Sequence, residues 1–173
     1  MNDFLTPFLS YATLVIHIVL VCLLILFFFQ KENKIFRIIF KNGILLSFVL
    51  AFVSTGISLY YSDYVGFEPC VLCWYQRIPM YALAIILYLS IARKDDKSVI
   101  PYGLALSVVG TILAIYHTYL AYFSQGSNTC SPFSSVSCTT KYFNYFGYIS
   151  VPTLSLSAFV IITLLLIGKK KHD

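Results

Sequence analysis

A 173-residue chain that is 59% hydrophobic and 11% charged, with a mean hydropathy of +0.82, lies far from the composition of soluble domains and reads as an integral membrane protein. Its net charge of +5 does not point to nucleic acid, because ten of the twelve cations sit in three places: Lys31, Lys34, Arg37 and Lys41; Arg93, Lys94 and Lys97; Lys169, Lys170 and Lys171. The remaining charges are too sparse for paired-carboxylate chemistry, and there is no Gly-rich phosphate loop, GxSxG or HExxH motif.

Crossing a hydrocarbon core of about 30 Å takes about 20 helical residues. Residues 8–29, 44–61, about 71–92, 102–123 and 149–167 meet that condition, which predicts an all-α membrane protein with five spans. The three basic clusters occupy alternate connections and are therefore cytoplasmic, so the N-terminus and both cysteine-bearing loops face outward. No cleavable signal peptide is evident, since nothing basic precedes the first apolar run and no small-residue cleavage site follows it. The first span is expected to stay as an anchor.

In that span the only strongly polar side chain is His17, set among Val15, Ile16, Ile18 and Val19, a pattern that suits a helix–helix contact better than a ligand. Cys22, flanked by Val21, Leu23 and Leu24, reads as a small packing residue. The connector 31–43 intersperses Ile35, Phe36, Ile38, Ile39 and Phe40 with cations, as a segment lying along the inner interface does. The second span closes on Leu59-Tyr60-Tyr61, whose rings suit the outer headgroups. A short loop carrying Asp63 and Glu68 then leads to Pro69-Cys70-Val71-Leu72-Cys73-Trp74-Tyr75-Gln76-Arg77.

If that stretch is helical, Cys70, Cys73 and Arg77 share one face, with about 5–6 Å between neighbouring Cβ atoms. A helix N-terminus, a nearby cation and CxxC geometry each favour a thiolate, and all three are expected to converge on Cys73. Cys70 is expected nearer water and Cys73 nearer lipid. The strictly apolar part, residues 78–92, is only about 22 Å long at 1.5 Å per residue. Either the helix begins near the CxxC, placing Arg77 about two turns inside it, or the span is short. Pro79 accordingly reads as a kink or as a first-turn proline. An intramembrane arginine is a functional hypothesis by default. The same spacing also suits a zinc knuckle or a structural disulfide, with an arginine that snorkels to the headgroups.

Arg93-Lys94-Asp95-Asp96-Lys97 is a tight inner turn that makes the third and fourth spans antiparallel neighbours. His117 lies about 9 Å below the outer end of the fourth span, at a depth comparable to Arg77, where it can bond a ligand carbonyl or a neighbouring helix. The hydrophilic segment 124–148 holds Cys130 and Cys138 in a serine-rich loop with Pro132. A disulfide there would close a short ring and contribute roughly 2–3 kcal/mol by loop entropy. An exposed one is also well placed for exchange with another protein. Cys70, Cys73, Cys130 and Cys138 all fall on the outer, oxidising side. The last span has Pro152 in its first turn and ends in Gly168 and three lysines.

Two outward thiol pairs, one in an aqueous loop and one at the lipid edge, define a path for electrons from a soluble dithiol into the membrane by thiol–disulfide exchange. The acceptor must live in the bilayer and take two electrons, for which a quinone is the natural candidate. Cys73 is then the sulfur beside the quinone, Arg77 stabilises the developing oxyanion, and His117 is a second donor to the other carbonyl.

At residues 68–77, Pro-Cys-Val-Leu-Cys-x-Tyr-x-Arg resembles the signature of DsbB-type disulfide-bond-formation membrane proteins. The order of elements agrees: CxxC, two spans, an outer loop with a second cysteine pair, a closing span, and Tyr116-His117-Thr118 where that family carries a histidine near its quinone. The resemblance covers residue 44 to the end and implies a four-helix redox domain at 44–173. The extra N-terminal span and basic loop occupy residues 1–43. It further implies that Cys130 and Cys138 exchange with a thioredoxin-like, DsbA-like extracytoplasmic partner, with Cys130 as the point of mixed-disulfide formation. Cys70 and Cys73 would relay electrons to ubiquinone or menaquinone in the bacterial cytoplasmic membrane. The short spacing of the loop pair resembles the compact Gram-positive branch, whereas the additional first span departs from the usual four. Two other readings are a vitamin K epoxide reductase-like protein, disfavoured by the early position of the CxxC, and a zinc-binding module ligated by the four outer cysteines, which the Cys130–Cys138 gap fits poorly.

Overall fold

The structure is a computed structural model that describes residues 34–123, 137–138 and 150–172, together with six positions between residues 14 and 21. Among the described residues every regular element is helical: α1 (Lys34–Lys41), α2 (Gly43–Leu59), α3 (Val71–Arg93), α4 (Asp96–Phe123) and α5 (Val151–His172). The helices α2, α3, α4 and α5 are long and apolar enough to cross a bilayer. Most of the expected first span at residues 8–29, including Cys22, lies outside the described residues. Leu14, Val15, His17, Ile18, Leu20 and Val21 are described and helical. His17 Nε2 bonds Ser157 Oγ on α5, and because Ser157 gives its own hydrogen to Thr153 O, the imidazole is the donor. That is the helix–helix contact expected of His17.

Each of the four long helices packs on two others, α2 on α3 and α5, and α4 on α3 and α5, so they close into an antiparallel ring. Leu83, Leu87, Ala114, Phe159, Ile162 and Leu166 fill its centre, fully buried. Phe52, Ile78, Ile85, Ile112 and Ile115 point outward and stay exposed, the belt that lipid covers. Packing is close where α4 meets α5. The ring of Phe159 occupies the place a Cβ on Gly110 would take, and Phe159 is itself completely buried. Gly110→Ala is therefore expected to destabilise the bundle by about 1–3 kcal/mol, the scale of an overpacked core. Thermal unfolding in detergent measures this, and an unchanged melting temperature would show that the ring can move aside.

Two local devices set the ends of α3. At its start, α2 runs into a widened turn over Tyr60–Tyr64, where Val65 N–H reaches Tyr60 O at 3.1 Å, and such π turns recur at functional sites. Gly66 then takes a left-handed φ of +79°, open to glycine at no steric cost, and reverses the chain toward Cys70. At its end, Lys94 is left-handed, and Lys94 and Asp95 N–H bond Ile91 O and Ser90 O. Asp95 Oδ1 then accepts from Ser98 N–H to cap α4. This is the tight turn expected at residues 93–97. At the same basic end, Lys169 pairs with Asp96 at 3.2 Å.

Since α3 begins directly after Cys70, Arg77 lies inside the helix and the short-span alternative falls away. Pro79 is in the helix interior, buried, and not in the first turn. The antiparallel ring puts the CxxC, the end of α4 and the start of α5 at one rim, opposite the cationic ends.

Candidate active site

Cys70 is the N-cap of α3. Extended backbone (φ −67°, ψ 168°) lets its sulfur fold back to accept the Cys73 N–H at 3.4 Å, while its carbonyl starts the helix by accepting Trp74 N–H at 3.1 Å. Cys73 Sγ stands 3.0 Å from Cys70 Sγ, and both thiols are free. Closing a disulfide at about 2.05 Å needs the sulfurs to approach by only about 1 Å.

From α4, His117 Nε2 comes to 3.7 Å from Cys70 Sγ. Its other nitrogen, Nδ1, lies 3.0 Å from Gln76 Nε2, and the Gln76 carbonyl oxygen accepts from Ser155 Oγ on α5. An amide nitrogen only donates, so Nδ1 is the acceptor and the ring proton sits on Nε2, directed at the sulfur. Three helices thereby fix one tautomer. The Cys73 thiol hydrogen bond and then the His117 contact hold Cys70 well below the ordinary thiol range, against the opposing effect of burial.

This differs from the sequence expectation, which put the influences favouring a thiolate on Cys73. The helix-start amide and the imidazole both point at the capping position and so act on Cys70. Cys70 is 4% exposed and Cys73 partly exposed, the cap position turning the first sulfur inward against α4.

Arg77, on the same face of α3, reaches toward α2. Its Nε donates to Ser58 Oγ and its Nη2 to Ser58 O, both at 3.0 Å, and its guanidinium carbon lies 4.8 Å over the Trp74 ring. It is buried, and no carboxylate among the described residues pairs with it.

The loop pair enters through Cys138, which is buried, disulfide-bonded and packed in one apolar cluster with Cys70, Leu72, Leu120 and the partly buried Cys73. Cys130 lies outside the described residues. Of the six residues expected at the site, Cys70, Cys73, Cys138 and His117 thus come together, with Arg77 beside them on the α2 side. Cys70 Sγ, Cys73 Sγ and a His117 ring nitrogen all lie within 4.8 Å of one another, a donor set of the kind that holds a metal.

Sequence reading missed Gln76, Ser155 and Ser58. Gln76 carried a signal, as an amide one helical turn beyond Cys73 in an otherwise apolar helix. The two serines, one on α2 and one on α5, carried none. Gln76→Leu removes the group that sets the His117 tautomer. A lost hydrogen bond of about 1–1.5 kcal/mol corresponds to about tenfold in the ionisation constant of the thiol. The midpoint of the pH profile of Cys70 alkylation is expected to rise by about one pH unit, with the neutral-pH rate little changed because the thiolate still dominates there, and an unchanged midpoint would show that Gln76 does not govern the imidazole.

A helical bundle fit to cross a bilayer, with a reactive dithiol buried at one rim, defines a multi-pass membrane thiol protein. The chain belongs to the DsbB family: the family model described as disulfide bond formation protein DsbB matches residues 40–168. A probable disulfide formation protein of Oceanobacillus iheyensis is 40% identical over 128 residues, covering 72% of this chain and 86% of that one. The SPbeta prophage-derived disulfide bond formation protein B of Bacillus subtilis is 39% identical over 122 residues, 70% of this chain and 81% of its own. A probable disulfide formation protein C of Halalkalibacterium halodurans is 38% identical over 136 residues, 75% and 96% respectively. No solved structure matches the chain.

Proposed function

We propose that this protein oxidises a thioredoxin-like dithiol protein outside the bacterial cytoplasmic membrane and passes the electron pair through Cys130–Cys138 and Cys70–Cys73 to a membrane quinone. The observation that carries this reading is the seating of disulfide-bonded Cys138 in one buried cluster with Cys70 and Cys73. Exchange needs attacking and attacked sulfurs in contact, and a shared cluster keeps the two pairs adjacent.

In the first exchange a partner thiolate attacks Cys130, forming a mixed disulfide and releasing Cys138 as a thiolate. The partner's second thiol displaces Cys130, so the partner leaves as a disulfide and the loop pair holds two electrons and two protons. Cys138 then attacks an oxidised Cys70–Cys73 pair at Cys70, releasing Cys73, and Cys130 resolves the intermediate by restoring the loop disulfide. The helix-start amide and the His117 Nε2–H stabilise Cys70 as the leaving thiolate.

The residues on the Cys73 side fit a quinone. Arg77 is a buried cation with no carboxylate partner among the described residues, which likewise offer no hydrogen-bond partner to the buried hydroxyls of Thr55 and Tyr81. Thr55 is one turn from Ser58 on α2, and Tyr81 one turn from Arg77 on α3. The helices are antiparallel, so both residues sit one turn further from the thiol rim than the Arg77–Ser58 level. Arg77, Thr55 and Tyr81 would hold the carbonyl oxygens of ubiquinone or menaquinone. A bound quinone supplies the acceptor for two electrons and two protons. His117, engaged by Cys70 and Gln76, serves the thiolate before any carbonyl. The cationic rim faces the cytoplasm by the positive-inside rule, which turns the thiols outward and leaves the C-terminus inside and the N-terminus outside.

Anaerobic stopped-flow of the purified protein with a reduced thioredoxin-like donor and a soluble quinone analogue tests the whole sequence. One quinone is expected to bleach per donor disulfide formed. Absence of bleaching, or labelling of Cys73 by an impermeant thiol reagent only from the cytoplasmic side, overturns the reading.

A further inference from the structure

We propose that the reduced Cys70–Cys73 pair and His117 form a redox-gated binding site for a zinc-type divalent cation. In a tetrahedral site with Zn–S near 2.3 Å and Zn–N near 2.05 Å, the sulfur–nitrogen edges are about 3.6 Å and the sulfur–sulfur edge about 3.8 Å. The Cys70 Sγ–His117 Nε2 separation of 3.7 Å already has the first length. The other two edges change by movement of one atom, Cys73 Sγ: the sulfur–sulfur distance must widen from 3.0 Å by about 0.8 Å, and its separation from the imidazole nitrogen, within 4.8 Å, must come to about 3.6 Å, both through rotation of the partly exposed Cys73 side chain. All three donor atoms lie within 4.8 Å of one another.

Ligation needs the Nε2 lone pair, so the imidazole proton must move to Nδ1. Gln76 and Ser155 accommodate that change. Turning the Gln76 amide over presents its carbonyl oxygen to Nδ1–H and its NH2 to Ser155 Oγ, a hydroxyl that accepts as readily as it donates. The result is the carbonyl partner that metal-bound histidines take on their second nitrogen. Binding displaces the Cys73 thiol proton, Cys70 being already the thiolate, with no change in oxidation state, and leaves a fourth position for water or another exchangeable ligand. Oxidation of the pair to its disulfide removes both thiolates and with them the site. A bound cation in turn holds the dithiol reduced and closed to exchange. That inhibitory consequence rests on the function proposed above, whereas the binding itself does not.

The test is an anaerobic titration of the reduced full-length protein with Co²⁺ alone. One equivalent is expected to give thiolate-to-cobalt charge transfer in the near ultraviolet and tetrahedral bands in the visible, both displaced by Zn²⁺. His117→Ala should weaken binding at least tenfold, Gln76→Leu by about 10–100-fold through its loss as the partner of the ligating imidazole, and His117→Cys should restore it. The disulfide form should give no bands. Failure of the reduced protein to give these bands overturns the site, as does His117→Ala binding as tightly as wild type, which would leave an ordinary dithiol. A protein that binds Co²⁺ but bleaches no quinone would overturn the redox function and leave this site standing.

Discussion

In the Cys73→Ser protein, turnover of a reduced thioredoxin-like donor should fall by at least ~10³-fold, the scale seen when a covalent participant is removed. At the same time an internal Cys70–Cys138 disulfide should accumulate. The reasoning runs from the cap of α3. Cys70 receives the helix-start amide and the His117 Nε2–H, so it is the member of the pair that carries charge. It also shares its cluster with disulfide-bonded Cys138. A Cys70 thiolate attacking Cys138 releases Cys130, and with Cys73 absent no second sulfur on α3 displaces Cys138 from Cys70; alkylating the freed Cys130 blocks the reverse attack that would restore the loop disulfide. Cys70→Ser should lose turnover equally but accumulate little of the corresponding Cys73–Cys138 link, because neither stabilising donor is directed at Cys73. Non-reducing digestion and mass mapping of the two variants measures the difference. Equal cross-linking would show that the two sulfurs are interchangeable, and retained turnover in either variant would remove the relay altogether.

What the sequence disclosed depended on whether the signal was local. The four spans from residue 43 onward are runs of apolar residues bounded by charge or by Pro and Gly, so their existence was readable from composition alone. The structure moves their ends by only a few residues, most at Asp96, where Asp95 caps a helix start that the apolar pattern does not mark. The CxxC-to-Arg face was legible because three- and four-residue spacings align on any helix. The direction of each side chain was not. Whether Cys70 or Cys73 takes the charge depends on which sulfur lies at the cap, and that follows from the Gly66 reversal and the extended φ/ψ of Cys70. Arg77 is held by Ser58 on α2, and the amide that faces His117 is held by Ser155 on α5, both distant in the chain. A serine in an apolar helix is common and carries no mark of what it faces. Cys138 is the converse case: a hydrophilic surrounding sequence argued for exposure, yet the sulfur is buried against the dithiol.

Arg77→Ala should lower kcat/KM for a quinone analogue by about 10²–10³-fold, the range found when one donor to a developing oxyanion is deleted. Reduction of the loop disulfide by the partner should be unaffected. Arg77 is buried and uncompensated by any carboxylate among the described residues, an arrangement that costs stability unless negative charge develops beside it. Two of its five donors hold Ser58, which fixes the plane of the guanidinium, and the Trp74 ring covers one face. Lysine keeps the charge but not the fork, so Arg77→Lys should fall between wild type and alanine in activity. Ser58→Ala removes one orienting bond while leaving the cation, and a loss of no more than about tenfold is expected from a single neutral hydrogen bond. If Arg77 merely staples α2 to α3, the ordering changes: Ser58→Ala and Arg77→Ala would lower the melting temperature together, and both would leave quinone kinetics intact. Separate rapid-mixing measurements of the donor and quinone half-reactions distinguish the two cases. An Arg77→Ala protein that reduces quinone at the wild-type rate would transfer the acceptor site away from the α2–α3 side of the dithiol.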